Sequence, residues 1–415
     1  MSEWLRLISN ADAVRDRRRP VDSGTLREAA LIVEDIRRDG EVALRRHSER
    51  LGDITPGETL VAIRRDLDEA LAGLDECRRR LLDRAAQQIR SFAQAQRDAI
   101  DDIDVEVPGG RAGHSWIPVR TAGAYAPGGR YPLPSSVLMT VIPARVAGVE
   151  AVWVASPKPT RLTMAVAALA GADGLLKVGG AQAVAALSFG ILSPPCDLVV
   201  GPGNRWVTAA KKHLFGEIGI DGLAGPSEIV VIAEDSADPH LVAADLLAQA
   251  EHDVDALPIL VTTSSALREN VEFQITRQLQ DLATADVAAV ALGNGFCTVV
   301  DDLEQAAALS EQIGPEHLAL HVSDPETLAG KLGSYGSLFM GEASAEAFAD
   351  YGIGPNHVLP TGGGARFQSG LSVMTFLKSP TWIRLTKPRE VVADSAALAR
   401  IEGLEAHARA AELRG

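Results

Sequence analysis

Four short strings in this 415-residue chain carry side chains able to bind a metal or move a proton. In Leu247-Ala248-Gln249-Ala250-Glu251-His252, Gln249 and His252 lie three apart at the end of an apolar helical pattern running from Pro239 to Glu251. Three residues is just under one turn, so the amide and the imidazole share a face and can point at one atom. A helix C-terminus capped by a solvated histidine leaves the same trace. Gly314-Pro315-Glu316-His317 sets a carboxyl group beside an imidazole just before a strand pattern, Leu318 to Val322. Two neighbouring groups with different intrinsic pKa values suit two different proton transfers. Asp350-Tyr351-Gly352-Ile353-Gly354-Pro355-Asn356-His357 is a Gly/Pro-punctuated loop with a carboxylate and an imidazole. Glu402 and His407 lie five apart on a C-terminal helical pattern, Ala396 to Leu413. Spacing alone does not show that strings so far apart in the chain meet.

A second group of strings suits a ligand cleft. Tyr125-Ala126-Pro127-Gly128-Gly129, Gly179-Gly180-Ala181-Gln182, Gly201-Pro202-Gly203-Asn204 and Gly225-Pro226-Ser227-Glu228 each combine glycine with a polar side chain at the end of a strand pattern. Ligands of open α/β sheets sit at strand ends, and glycine lets backbone N–H groups approach a phosphate. One such loop is usually a plain turn, whereas four in succession favour a cleft. The dinucleotide fingerprint GxGxxG is absent: Gly201-Pro202-Gly203-Asn204-Arg205-Trp206 lacks the third glycine. No GxxxxGK[ST], GxSxG or HExxH string occurs either.

The elements that must position these residues follow from the apolar pattern. Short Val/Ile/Leu runs at Ala151–Ala155, Leu175–Val178, Asp197–Val200, Glu228–Ile232 and Ile259–Thr262 alternate with helical stretches, Ala-rich at Arg161–Leu169 and Gln182–Ser188, and charged and polar from Ala266 to about Leu282. Apolar runs buried on both faces and spaced by helices indicate parallel βαβ units. Further strands are expected near Val287 and Thr298. The fold class is α/β, with two parallel sheets and helical or irregular segments at both ends. A helix from Ser23 closes at Gly40, and one charged amphipathic stretch runs from Leu67 to Gln96. Residues 1–22, ending in Arg17-Arg18-Arg19-Pro20, read as a solvated extension. His47, His114, His213, His240 and His321 have no partner in the sequence and read as surface or packing histidines.

Composition sets outer bounds. Hydrophobic residues at 46% and charged residues at 23% are ordinary globular usage. Forty Lys+Arg against 55 Asp+Glu give a net charge of −15, which repels phosphate backbones, so no nucleic acid or anionic membrane is expected as partner. The N-terminus lacks the apolar core of a signal peptide, and no apolar run approaches the roughly 20 residues of a membrane helix. Cys77, Cys196 and Cys297 form no CxxC pair, which fits a soluble protein of the reducing cytoplasm.

Taken together, the strings resemble the histidinol dehydrogenase family over essentially the whole chain. The resemblance is carried by Gly179-Gly180-Ala181-Gln182-Ala183, Gly201-Pro202-Gly203-Asn204, Ala224-Gly225-Pro226-Ser227-Glu228, Asp245 through His252, Gly314-Pro315-Glu316-His317-Leu318, and Gly354 through Thr361. It implies two Rossmann-like parallel-sheet domains, without GxGxxG, whose small terminal segments complete an intertwined homodimer. The implied organisation is an extension over 1–22, a discontinuous α/β domain of 23–123 plus 228–368 carrying most metal and catalytic residues, an NAD-contacting domain of 124–227, and a C-terminal segment, 369–415. Gln249, His252, Asp350 and His407 match the family's zinc ligands, one Zn²⁺ per subunit, with His407 arriving from the neighbouring copy. Glu316 and His317 match the catalytic acid–base pair. Ser227, His357 and Glu402 match substrate contacts, shared with Gln249, His252, His317, Asp350 and His407; Tyr125, Gln182 and Asn204 match NAD⁺ contacts. Ala349 before Asp350 and the three glycines after Thr361 depart from the family pattern without touching a matched residue.

The implied reaction is the four-electron oxidation of L-histidinol to L-histidine through L-histidinaldehyde, using two NAD⁺. Three other readings stand beside it: a related zinc/NAD dehydrogenase of another polar alcohol such as a sulfonated diol, a zinc hydrolase using Glu316 as base, and a metal-stabilised binding protein without turnover.

Overall fold

Two six-stranded sheets organise the chain. The structure, a computed structural model, describes residues 4–15, 21–128, 133–351 and 353–415. The basic string Arg17 to Pro20, Gly129 and Gly352 lie outside the described residues. Sheet I has the spatial order Gly219–Ile220, Leu198–Val200, Thr121–Tyr125, Ala151–Ala155, Gly174–Leu176, Val61–Ile63. Its first five strands are parallel and only the edge strand Val61–Ile63 runs antiparallel. Sheet II has the order Arg6–Leu7, Phe296–Val299, Leu257–Thr262, Glu228–Ala233, His317–His321, Ser337–Met340, all parallel.

Numbering the five parallel strands of sheet I, and the last five of sheet II, by chain order gives the same arrangement twice, 3-2-1-4-5. Each sheet therefore reverses its direction of winding beside its first strand: Thr121–Tyr125 next to Leu198–Val200, and Glu228–Ala233 next to His317–His321. At such a switch point the flanking connections leave on opposite faces and open a crevice. The inner strands are apolar and buried along their length, as strands covered on both faces must be. Each fully buried Val, Leu or Ile contributes about 1.5–3 kcal/mol, which makes these strands the rigid parts of the frame.

Several sequence expectations are corrected. Much of residues 23–123 packs with sheet I rather than with sheet II, although Val358 joins the cluster of Ala86, Ile89 and Ala93. Helix Ser23–Arg50 packs Ile32, Val33, Ile36 and Leu44 with Val184, Leu187 and Val199 on one face of sheet I. Helix Glu76–Asp98 packs Ile89 and Ala93 on its other face, beside Val137 and Val141, and Val61–Ile63 pairs with Gly174–Leu176. Nonlocal strand pairing decides this, and no local spacing encodes it. The N-terminal extension is anchored rather than free: Leu5 is buried, and Arg6–Leu7 adds an edge strand to sheet II beside Phe296 and Cys297.

Near Val287 the chain is helical, Ala285–Asn294, because Val287, Ala288, Ala291 and Leu292 recur at helical steps and are the residues buried. Two presumed single stretches are broken: Leu67 to Gln96 splits into Arg64–Ala72 and Glu76–Asp98, and Ala396 to Leu413 splits into Arg389–Ile401 and Glu405–Glu412 around Gly403. The helix from Ser23, expected to close at Gly40, is interrupted there, where φ is 56°, but resumes and runs to Arg50. The sequence reading missed a small antiparallel sheet in which Gly110–His114 pairs with both Ile103–Val107 and Thr381–Leu385. Among the described residues no helix is long and apolar enough to cross a membrane.

Candidate metal and acid–base site

The site is built at the amino ends of the two strands that flank the switch point of sheet II. Glu228 and His317 are the first residues of their strands, and Ile229 is in register with His317. A helix that follows a parallel strand runs back across the sheet, so the C-terminus of Pro239–Ala250 arrives at this same edge and delivers Gln249 and His252. That end of a helix carries the negative pole of its dipole, which favours a cation. Helix Glu346–Tyr351 brings Glu346 and Asp350, and the loop after it brings His357.

The contacts are close. His317 Nδ1 lies 3.2 Å from Gln249 Oε1 and 3.3 Å from the Glu228 carbonyl, both acceptors, so Nδ1 carries the proton and Nε2 is left as the basic nitrogen. The Glu228 backbone N–H donates to Glu316 Oε2 at 3.0 Å, and Gly362 N–H donates to Glu228 Oε1 at 2.9 Å. His252 Nε2 is 3.8 Å from Glu346 Oε1 and 3.9 Å from Asp350 Oδ2; His357 Nδ1 is 3.7 Å from Asp350 Oδ1. His252, Glu346 and Asp350 can each turn one ligand atom to a common centre.

Burial tunes the acid–base pair in opposite senses. It pushes the Glu316 carboxyl well above the ordinary range, aided by the nearby carboxylates Glu228, Glu346 and Asp350 and opposed by the Glu228 N–H. It lowers the His317 imidazole to about 3, so the ring is neutral at physiological pH. Burial also lowers His357, while Asp350 pulls it upward. The neutral ring has a free nitrogen that can accept a proton, and a raised pKa makes the ionised form of Glu316 a stronger base than an exposed carboxylate.

Orphaned acceptors in the same cluster fit a cation. Both carboxylate oxygens of Glu346 are buried without a hydrogen-bond partner. A buried carboxylate without a partner costs several kcal/mol, and buried charges are normally paired or coordinate a metal. The donor set of imidazole nitrogen, carboxylate oxygen and amide oxygen suits Zn²⁺. Glu346 was not among the sequence candidates. The signal that could have found it is the four-residue step from Glu346 to Asp350, which sets two carboxylates on one helix face.

The opposite crevice, at the carboxyl end of sheet I, gathers the other candidates. Tyr125 closes its strand, is buried, and its hydroxyl accepts from Gly180 N–H at 3.3 Å; burial pushes its pKa up to about 12. Gln182 donates Nε2–H to Asp53 at 2.8 Å, and the same carboxylate oxygen accepts Gly179 N–H at 2.9 Å. Asn204 caps helix Arg205–Leu214, accepting from the N–H groups of Trp206 and Val207. Gly201 is required here: its φ is 109°, and a Cβ would lie 2.1 Å from the Tyr125 carbonyl oxygen. Lys211 Nζ holds this turn by reaching the Gly201 carbonyl and Asp221, each at 2.6 Å.

The two sheets meet through His357 and Asn356. His357 Nε2 lies 3.3 Å from Ser136 Oγ, and Asn356 Nδ2–H donates to the Met139 carbonyl at 2.6 Å; both partners sit on helix Pro134–Ala147 of sheet I. Ser227 stands just before Glu228, and its carbonyl accepts from Leu257 N–H at 2.9 Å. Within one chain, then, Gln249, His252, Glu316, His317, Asp350 and His357 come together. Glu402 and His407 do not join them: both are exposed, on a C-terminal helix pair whose buried residues are Ala396 and Ala408.

His321, read as a packing histidine, has a partner. Its Nε2 lies 2.8 Å from Asp245 Oδ2, with side-chain exposures of 2% and 13%. Asp245 precedes Gln249 by one helical turn and His321 follows His317 by two pleats, so this pair ties the helix to the strand in the register that sets Gln249 beside His317. Replacing His321 by Ala strands a mostly buried carboxylate and is expected to cost about 3 kcal/mol in denaturant unfolding, with His321→Gln recovering most of it. A loss below about 0.5 kcal/mol would show that the pair holds nothing.

The family model for histidinol dehydrogenase matches residues 16–415. The histidinol dehydrogenase of Thermus thermophilus is 47% identical over 387 residues, covering 92% of this chain and 93% of that protein. That of Haloarcula marismortui is 42% identical over 416 residues, covering 98% and 94%. The crystal structure of histidinol dehydrogenase from Elizabethkingia anophelis superposes with a TM-score of 0.93 at 31% identity, covering 100% of this chain and 98% of that one. On a match that spans nearly its whole length, this chain belongs to the histidinol dehydrogenase family.

Proposed function

We propose that this chain oxidises L-histidinol to L-histidine through L-histidinaldehyde, passing two hydrides in turn to two NAD⁺. The observation that carries the reading is the acid–base pair Glu316 and His317 set against Gln249, His252 and Asp350 in one cluster, in a chain of this family. Gln249, His252 and Asp350 would hold one Zn²⁺, with His407 arriving from a second copy. When bound, the metal supplies an anchor for the substrate's imidazole and amine, and NAD⁺ supplies the hydride acceptor.

The chain's own residues do the rest. His317 Nε2 takes the carbinol proton as the first hydride leaves, because the Glu228 carbonyl and Gln249 Oε1 keep the ring's other nitrogen protonated. Glu316 then removes a proton from the water that adds to the aldehyde, its raised pKa making it a stronger base than an exposed carboxylate. The hydrate loses the second hydride and a proton to give the carboxylic acid. Ser227, His357 and Glu402 would contact the substrate. Tyr125, Gln182 and Asn204, at the switch point of sheet I, would contact NAD⁺.

The exposed apolar surface of the C-terminal arm supports a homodimer with shared sites. Ile401 and Leu413 are 82% and 86% exposed, and Leu398 and Leu404 are also uncovered. Leaving such side chains in water forfeits the stabilisation that a partner surface would restore. Three unpaired cysteines fit the reducing cytoplasm.

NADH formation on adding L-histidinol and NAD⁺ tests the reading. A signal with L-histidinol is expected. NADH from another polar alcohol, and none from histidinol, would replace it with a related dehydrogenase. No NADH from any alcohol would overturn dehydrogenase chemistry altogether.

A further inference from the structure

Glu346 has no place in the ligand set Gln249, His252, Asp350 and His407, yet it is the most demanding group in the cluster. Its carboxyl is 3% exposed and neither oxygen has a hydrogen-bond donor. His317 Nδ1 lies 3.6 Å and His252 Nε2 3.8 Å from its Oε1, both too long for hydrogen bonds. The carboxylates of Asp350 and Asp245 also act on it, which adds repulsion rather than relief. A group in this state needs a cation. We infer that Glu346 is a further ligand of the metal in the substrate-free enzyme, completing a site that one chain can fill by itself.

The geometry and the charge agree. Two ligand atoms about 2.1 Å from a common Zn²⁺ are separated by about 3.4 Å in a tetrahedron and by at most about 4.2 Å. The separations from His252 Nε2 to Glu346 Oε1 and to Asp350 Oδ2, 3.8 and 3.9 Å, fall in that range. With Gln249 Oε1 the chain then offers one imidazole nitrogen, one amide oxygen and two carboxylate oxygens. Two carboxylates balance the ion's double positive charge, which the site otherwise meets with Asp350 alone. Four donors whose charge matches the ion's would retain metal before a second copy supplies His407, and before substrate brings donors of its own.

The inference rests on the metal-site reading above, and the experiment separates the two. Zn²⁺ affinity is measured by chelator competition on full-length wild type, Glu346→Gln and His252→Asn, without substrate. Glu346→Gln should weaken Zn²⁺ binding about 10- to 100-fold. The visible spectrum of the Co²⁺-loaded protein should also change between wild type and Glu346→Gln. If His252→Asn weakens binding and Glu346→Gln leaves both affinity and spectrum unchanged, Glu346 is no ligand and this inference falls. If neither substitution changes affinity, the metal-site reading falls with it. A Glu346→Gln variant that loses turnover with metal binding intact would make Glu346 an acceptor for His317 or Gln249 and also overturn the inference. Should the variant not fold, X-ray absorption on the zinc-loaded wild type decides: a first shell with two carboxylates sustains the inference, and one carboxylate overturns it.

Discussion

Replacing His317 by Asn is expected to lower turnover by about 100-fold or more while leaving metal content unchanged. An asparagine amide can still donate to the Glu228 carbonyl, which His317 Nδ1 approaches at 3.3 Å, so the strand end keeps its packing. What it lacks is the second ring nitrogen, through which the neutral imidazole accepts a proton. The loss should therefore fall on kcat far more than on KM. Near wild-type turnover in a metal-replete variant would remove His317 from the proton transfer. The same substitution has a signature in stability. Burial lowers the folded-state pKa of His317 from 6.5 to about 3, so as pH falls below 6.5 the unfolded chain takes up a proton that the folded one refuses. Stability supported by the neutral ring is present above pH 6.5 and is lost as pH falls toward 3. The difference in unfolding free energy should accordingly shift in favour of His317→Asn over that interval; a constant difference would contradict the buried neutral ring.

Mixing two inactive variants should restore activity. His407→Asn is expected to lose metal affinity, and His317→Asn to lose its base. If His407 serves the neighbouring copy, a hybrid dimer of the two has one site with both defects and one site with neither. Random exchange makes half the dimers hybrid, so the mixture should regain about a quarter of wild-type activity. Within one chain Glu402 and His407 are exposed and do not join the cluster, and apolar residues stand uncovered on the arm that carries them. No recovery on subunit exchange, together with unchanged zinc affinity in His407→Asn, would take the C-terminal arm out of the site.

Much of this is legible in the sequence. Most inner strands announce themselves because burial on both faces demands runs of Val, Ile and Leu, and Gln249 with His252 does so because a helix repeats every 3.6 residues; Thr121–Tyr125, the first strand of sheet I, has none of the three and gives no such signal. Gln249, His252, Glu316, His317, Asp350 and His357 are all candidates from sequence, whereas Glu346, in the same cluster, is not. What stays hidden depends on pairing across long distances. Nothing near Val61 says that it will edge sheet I, and Leu5 gives no sign of packing against sheet II. Ile103–Val107 does alternate apolar and polar residues, but its partner Gly110–His114 carries two glycines and no large apolar side chain, so the hairpin shows only one strand signal. Val287 misleads because a short apolar run fits a strand or a buried helix face equally well. Glu346 and His321 escape notice for a related reason: their meaning lies in a missing donor and in a partner 76 residues away, neither of which local spacing reveals.

The most direct test is the stoichiometry of a complete turnover. With limiting L-histidinol and excess NAD⁺, the account predicts about two NADH per substrate and L-histidine as the product, since Glu316 and His317 are proposed to serve successive oxidations in one site. One NADH per substrate with the aldehyde released, or NADH formation that persists unchanged when Glu316 and His317 are both replaced, would contradict it.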